Sequence, residues 1–432
     1  MVRPDVPGPL MRRGPRPLLL HLTLAMLRST VSRATSPLWN SGWPNSPSGS
    51  SATAAAILRS IQDAVQQPAP DASHGSDFPA AVVAETLRQD AALIEGIAAY
   101  RRHSYQRNLV DPPAIWAEGG SRLLDYRPQG GHPMLFVPSL VNRAYVLDLA
   151  EGSSMLRWLA GQGMRPLLLD WGWPGETERR FTLTDYVAGR MERAMAAAVQ
   201  AAGAPPVLAG YCMGGTLAVA AAQRRPDLIS GLALLAAPWD FHAPDPERAI
   251  QAAQTLPLLE PALAFSHALP VDLLQSLFAM LDPWSVAEKY RRFTRLPPDS
   301  PRARLFVALE DWLNDGIPLA AEVARACLGE WYGENAPARG SWRIAGLPVD
   351  PTAIARPTFV AVPAGDRIVP PESARPLAGL IQGAVLHEPV AGHIGMAAGG
   401  RAERSLWRPL RDWVRTLGGP AGGLRGRGSI SI

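Results

Sequence analysis

Between residues 132 and 390 the chain alternates short, unbroken apolar runs with longer amphipathic stretches. The runs HPMLFVPSL (132–140), RPLLLDW (165–171), PPVLAGYC (205–212), LISGLALLAAPW (228–239), RPTFVAVPAGD (356–366) and AVLHEPV (384–390) are bounded by Gly or Pro and lack polar alternation. That is the pattern of strands buried on both faces. Between them the period changes to that of a helix. In TLTDYVAGRMERAMAAAVQ, Leu183, Tyr186, Val187, Met191, Met195 and Val199 share one face, and Thr182 with Asp185 makes an approximate capping pair. In ERSLWRPLRDWVRTLGG, Leu406, Trp407, Leu410, Trp413, Val414 and Leu417 form one stripe that ends at glycine. Strand and helix in alternation predict an α/β fold, a mainly parallel sheet with helices on both faces.

The rhythm fails at two places. Near the start, Arg12, Arg13 and Arg16 precede the apolar run PLLLHLTLAML (17–27), and the polar stretch SPLWNSGWPNSPSGSSATAAA follows at 36–56. The run is shorter than the roughly 20 residues that span a bilayer, although basic-then-apolar order is also that of a secretory signal. Residues 1–75 are therefore expected as a disordered leader or the product of a mis-assigned start. The second break, 242–355, is rich in Pro, Trp and helical pattern and too long for a simple connection, so it reads as a mostly helical cap insertion. The expected layout is leader 1–75, helical N-terminal segment 76–110, core 111–241, cap 242–355, second part of the core 356–419 and flexible tail 420–432.

Composition narrows the function classes. At 47% apolar residues the 432-residue chain can bury a large core. Its net charge of +4 comes almost wholly from arginine, with Lys289 the one lysine, and no arginine run is interleaved with aromatics, so no nucleic-acid partner is expected. Cys212 and Cys327, the two cysteines, sit in unlike settings that form neither a disulfide framework nor a metal pattern, which fits a reducing cytosol.

The chemistry centres on LAGYCMGGT, where a buried strand runs directly into a helix and Gly210, Gly214 and Gly215 surround Cys212. Small neighbours at those positions fit the sharp turn of a nucleophile elbow. A thiol there would face a pocket, with the helix N-terminus favouring its thiolate and the backbone N–H of Met213 aimed at an oxyanion. By itself the hexapeptide also fits a small apolar cysteine in a core. An α/β-hydrolase fold further requires an acid after a later strand and a histidine after the last one. Asp366 follows TFVAVPAG, and His393 lies in PVAGHIGM just beyond the final strand. Order and position together favour Cys212, Asp366 and His393 as a catalytic set. Cys327 falls within an amphipathic helix and reads as packing. Asp170 precedes the nucleophile and reads as structural, and His242 is a weak site candidate. In the cap, Leu274, Leu277, Phe278 and Trp284 are apolar residues that either hold a product away from water or form the cap's own core.

GYCMGGT, FVPSLVNRAYVLDL, LLLDWGWPG, WLNDGIPL, DRIVPP and GHIGM occur together in this chain, and over residues 110–415 it resembles the polyhydroxyalkanoate synthases, or poly(3-hydroxyalkanoate) polymerases, in particular their smaller members. The resemblance implies an α/β-hydrolase fold with a helical cap, Cys212 as the acyl-carrying nucleophile, His393 as its base and Asp366 as the third member. It implies (R)-3-hydroxyacyl-CoA as substrate, with Met213 N–H and a backbone N–H near Leu140 as the oxyanion hole, and no cofactor or metal. It further implies a growing polyester chain or granule surface in the cytoplasm, a homodimer, and for some members a second synthase subunit. A thiol suits such an enzyme, because one thioester exchanges for another at little free-energy cost. The same residues leave open a cysteine hydrolase, such as a polyester depolymerase or a thioester or lactone hydrolase, and an inactive granule-associated binding protein. They also leave open whether His393 or Asp366 takes the proton of the attacking hydroxyl.

Overall fold

The six apolar runs form six adjacent strands of one eight-stranded sheet in the computed structural model, which describes residues 12–35, 77–127, 130–243 and 245–417. The strands are β1 (Ala114–Glu118), β2 (Ser121–Asp125), β3 (His132–Val137), β4 (Met164–Asp170), β5 (Val207–Tyr211), β6 (Gly231–Leu235), β7 (Thr358–Ala361) and β8 (Val385–His387). Their spatial order is β1-β2-β4-β3-β5-β6-β7-β8. From β4 to β8 every neighbouring pair is parallel. Side chains within a strand alternate between two cores, one on each side of the sheet: Leu135 and Val137 of β3 join one, Met134 and Phe136 the other. All five residues of β5 are buried, which is why the run has no polar alternation.

The hairpin β1–β2 is the antiparallel part of the mainly parallel sheet. It pairs antiparallel with β4 and turns through Gly119 and Gly120. Gly119 has φ +55°, and a Cβ on it would lie 2.0 Å from Glu178 Oε1, so glycine is required there. β1 lies at the sheet edge with most of its residues exposed, so it carries no unbroken apolar run.

Register brings the carboxyl ends of the central strands together, with Val137 opposite Gly210, Tyr211 and Ala361 both opposite Leu235, and Ala361 opposite His387. In open α/β sheets ligands bind at that edge. Between β6 and β7 runs a helical cap that includes Pro246–Ala253, Leu256–Ser266, Val271–Ala279 and Ala321–Arg325. Its first helix starts where the sequence allows it, with the Asp245 carboxylate accepting from Arg248 N–H and Pro246 in the first turn.

The chain divides into two compact units, and the division corrects two expectations. The smaller unit contains α1 (Leu18–Thr35) and α2 (Asp77–Arg102), so the part of the leader that the structure describes is helical and not disordered. Polar groups on α1 find partners on α2, with Ser29 Oγ donating to Asp90 Oδ1 at 2.8 Å and Arg28 donating to Gln89 Oε1 at 2.7 Å. The same unit takes residues 282–303 out of the expected cap, and Tyr290 packs edge-on against Tyr100 of α2 at 5.6 Å. The remaining expectations for the leader and the tail, at 1–11, 36–75 and 420–432, lie outside the described residues. Among the described residues no helix is long and apolar enough to cross a membrane.

Candidate functional site

Strand β5 ends at Tyr211, and α3 (Met213–Arg224) begins two residues later, leaving Cys212 alone to turn the chain. It does so at φ 55° and ψ −130°, a left-handed conformation that costs a residue with a Cβ roughly 1–3 kcal/mol. Two backbone bonds fix it: Cys212 N–H donates to Leu235 O at 2.9 Å, and Gly215 N–H donates to Cys212 O at 2.8 Å. The neighbouring glycines are steric necessities. A Cβ on Gly210 would lie 2.4 Å from Gly215 Cα, one on Gly215 would lie 2.4 Å from Ala237 Cβ, and one on Gly214 would lie 2.2 Å from Val137 O. The last contact also sets the segment after β3 against the elbow. Among the described residues, no acceptor takes the backbone N–H of Met213 or of Leu140, which lies in that segment.

Asp366 and His393 meet because the ladder between β7 and β8 continues into the loops that carry them. Val362 N–H donates to His387 O, Ala364 N–H to Pro389 O and Gly365 N–H to Ala391 O, at 2.8, 3.0 and 2.9 Å. His393 opens the short helix α4 (His393–Ala398), and its Nδ1 lies 2.6 Å from Asp366 Oδ2. The other carboxylate oxygen accepts from Ile368 and Val369 N–H, both at 2.9 Å, and the Asp366 side chain is fully buried. With Nδ1 donating to Asp366, Nε2 is left for Cys212.

Burial pushes the His393 ring toward its neutral form. The charge of Cys212 and hydrogen bonds to Asp366 and Cys212 outweigh it, raising the pKa from 6.5 to about 10. Tyr211 lies beside the same group, and burial, then the charges of Cys212 and Asp366, hold its phenol well above 10. Stabilisation by the charged imidazole is fully present below pH 6.5 and is lost as pH rises through about 10. Urea unfolding at a series of pH values is expected to show wild type losing stability relative to His393→Gln across that window. A constant difference between the two proteins would contradict the charged ring.

The other sequence candidates fall elsewhere. Asp170 Oδ2 accepts from Arg122 at 2.7 Å and its Oδ1 from Gly172 N–H at 3.1 Å, a loop-orienting arrangement. Cys327 is partly buried in the π-helix Ala326–Gly333, and desolvation followed by the charge of Glu330 pushes its thiol far above the ordinary range. His242 contributes an Nε2 contact of 2.9 Å to Tyr332 O. Leu274 is buried, and Leu277 and Phe278 pack half-buried on the core, whereas Trp284 is 45% exposed and belongs to the smaller unit.

Two fasteners of the cap had no role assigned from the sequence. Asn335, itself at φ 54°, donates to Asp240 Oδ1 at 2.8 Å and accepts from Phe241 N–H at 2.9 Å, tying the cap to the segment after β6. Within WLNDGIPL, Trp312 Nε1 donates to Arg143 O at 2.7 Å and Gly316 bridges Asn142, which ties the cap to the segment after β3. An asparagine in a loop has no periodicity that would mark it.

A family model described as the alpha/beta hydrolase fold matches residues 133–398. The chain is similar to the poly(3-hydroxyalkanoate) polymerase subunit PhaC of Allochromatium vinosum, with 30% identity over 311 residues that cover 70% of this chain and 87% of that protein. It is similar to the subunit of the same name from Haloferax mediterranei, with 30% identity over 69% of this chain and 62% of that protein. A third relative, the PhaC subunit of Synechocystis sp., is 28% identical over 74% of this chain and 88% of its own length.

Proposed function

Given that this chain belongs to the poly(3-hydroxyalkanoate) polymerase family within the alpha/beta hydrolase fold, we propose that it polymerises (R)-3-hydroxyacyl-CoA into polyester through a thioester on Cys212. The observation that carries the reading is a cysteine held on a strained elbow beside a buried His393–Asp366 pair. His393 takes the Cys212 proton, and the thiolate attacks the thioester carbonyl of the substrate. Met213 and Leu140 N–H stabilise the tetrahedral oxyanion, whose collapse expels coenzyme A as its thiolate, protonated by His393. The acyl group then sits on Cys212 as a thioester, as activated as it arrived.

In the second half-reaction the 3-hydroxyl of another acyl unit attacks that thioester. Its proton passes to His393 and not to Asp366, because the Asp366 side chain is fully buried and engaged with His393 and two backbone N–H groups. The Cys212–acyl bond breaks as the ester bond forms, and the chain grows by one unit. All three relatives above carry the word subunit in their names, which supports a second synthase subunit; a homodimer and a growing polyester granule in the cytoplasm belong to the same proposal.

Purified protein given (R)-3-hydroxybutyryl-CoA, with the candidate second subunit added in a parallel reaction, is expected to release coenzyme A and to yield high-mass polyester. Coenzyme A release with only free hydroxy acid as product would make the protein a hydrolase. Silence in both reactions would remove the synthase reading.

A further inference from the structure

Asp366 holds the His393 ring at one atom, Nδ1, and the ring's hydrogen bond to Cys212 is lost once the sulfur carries an acyl group. Something else must hold Nε2 toward Cys212. Tyr211, the residue before Cys212 on β5, is 3% exposed, and its ring lies 5.1 Å from the His393 ring with 35° between the planes. Its hydroxyl donates to the backbone carbonyl of His393 at 3.3 Å. One side chain therefore touches His393 at both its ring and its main chain.

We propose that Tyr211 is the positioning residue of this site, clamping His393 by its ring face and its carbonyl so that Nε2 stays on Cys212, an assignment that rests on His393 being the base of Cys212. The clamp and the nucleophile are consecutive in one chain. Tyr211 is paired to Leu235 of β6 in the middle of the sheet, so the distance from nucleophile to base does not depend on how three separate loops happen to pack. The titratable groups facing His393 are Cys212, Asp366 and Tyr211 itself, and the buried phenol stays a neutral donor. Phenylalanine would supply the ring face and lose the tether. Leucine would lose both.

The test uses the full chain as Tyr211→Phe and Tyr211→Leu, with coenzyme A release kinetics and ¹³C NMR of the histidine ring, His393 being assigned from the spectrum of His393→Gln. Loss of the tether alone is expected to lower kcat about 3–10-fold, the worth of one hydrogen bond. Loss of the ring face is expected to lower it on the order of 10²-fold, as misplacement of a reacting group does. In both variants KM holds. The His393 titration midpoint, raised to about 10 by Cys212 and Asp366 beside the ring, is expected to fall in Tyr211→Leu and by less in Tyr211→Phe, because a displaced ring loses the Cys212 charge beside it. Thermal melts report folding, and if the leucine variant does not fold, Tyr211→Phe decides. Folded variants with wild-type kcat and an unmoved midpoint would overturn the clamp, as would lower activity with no change in midpoint. The NMR measurement needs no substrate, so a wild-type protein that makes no polyester would sink the synthase reading and leave this test standing.

Discussion

Cys212→Ala is expected to cut coenzyme A release at least about 10⁴-fold and leave the fold intact. The two halves of that expectation have separate physical grounds. In the proposed cycle every acyl unit passes through the Cys212 sulfur, so no residual route remains except direct attack on the substrate in solution. The strain at residue 212 belongs to the backbone and Cβ at φ 55°, both of which alanine keeps, so the elbow and its bonds to Leu235 and Gly215 persist. Unfolding free energy is accordingly expected to change by no more than about 1 kcal/mol. Release assays beside a denaturant titration check both. Wild-type release by the alanine variant would remove Cys212 from the chemistry and take the proposed function with it.

The largest stability effect is expected at Gly214. An added methyl would sit 2.2 Å from Val137 O, 2.5 Å from Pro138 O and 2.8 Å from Pro138 C, all backbone atoms that no rotamer change can move aside. Either α3 or the segment after β3 must shift, and both are packed into the centre of the sheet. Gly214→Ala should therefore cost about 3–5 kcal/mol, a large part of the stability of an ordinary domain. Gly161→Ala is the control, since a Cβ there meets nothing within 4 Å. A thermal melt in which Gly214→Ala and Gly161→Ala behave alike would mean that the elbow tolerates a shift that its geometry forbids.

The parallel sheet was legible because its strands are buried on both faces. Such strands must be continuously apolar, and each of the six runs coincides with one of them. The hairpin β1–β2 was missed although a Gly119-Gly120 pair marks its turn, because an exposed edge strand carries no comparable run. The helix Leu18–Thr35 was missed for the opposite reason. Its sequence alone shows an apolar run too short for a membrane, and its stability depends on partners such as Asp90 and Gln89 some 61 residues away.

Sequence by itself determined the six parallel strands, their order along the chain, and the positions of Cys212, Asp366 and His393 at or beyond the ends of particular strands. These are local matters, since burial on both faces, turn sterics and chain order are all written in neighbouring residues. Tertiary structure alone decided which atoms meet. The pairing of loops beyond β7 and β8 brings Asp366 onto His393, the register of β5 and β6 fixes the elbow against Leu235, and packing across the sheet sets Tyr211 under the imidazole. Residues 282–303 likewise went to the smaller unit through contacts such as Tyr290 with Tyr100. Each of these joins positions from 23 to 190 residues apart in the chain, and the energy that selects them resides in packing and hydrogen bonds that exist only once the chain has closed.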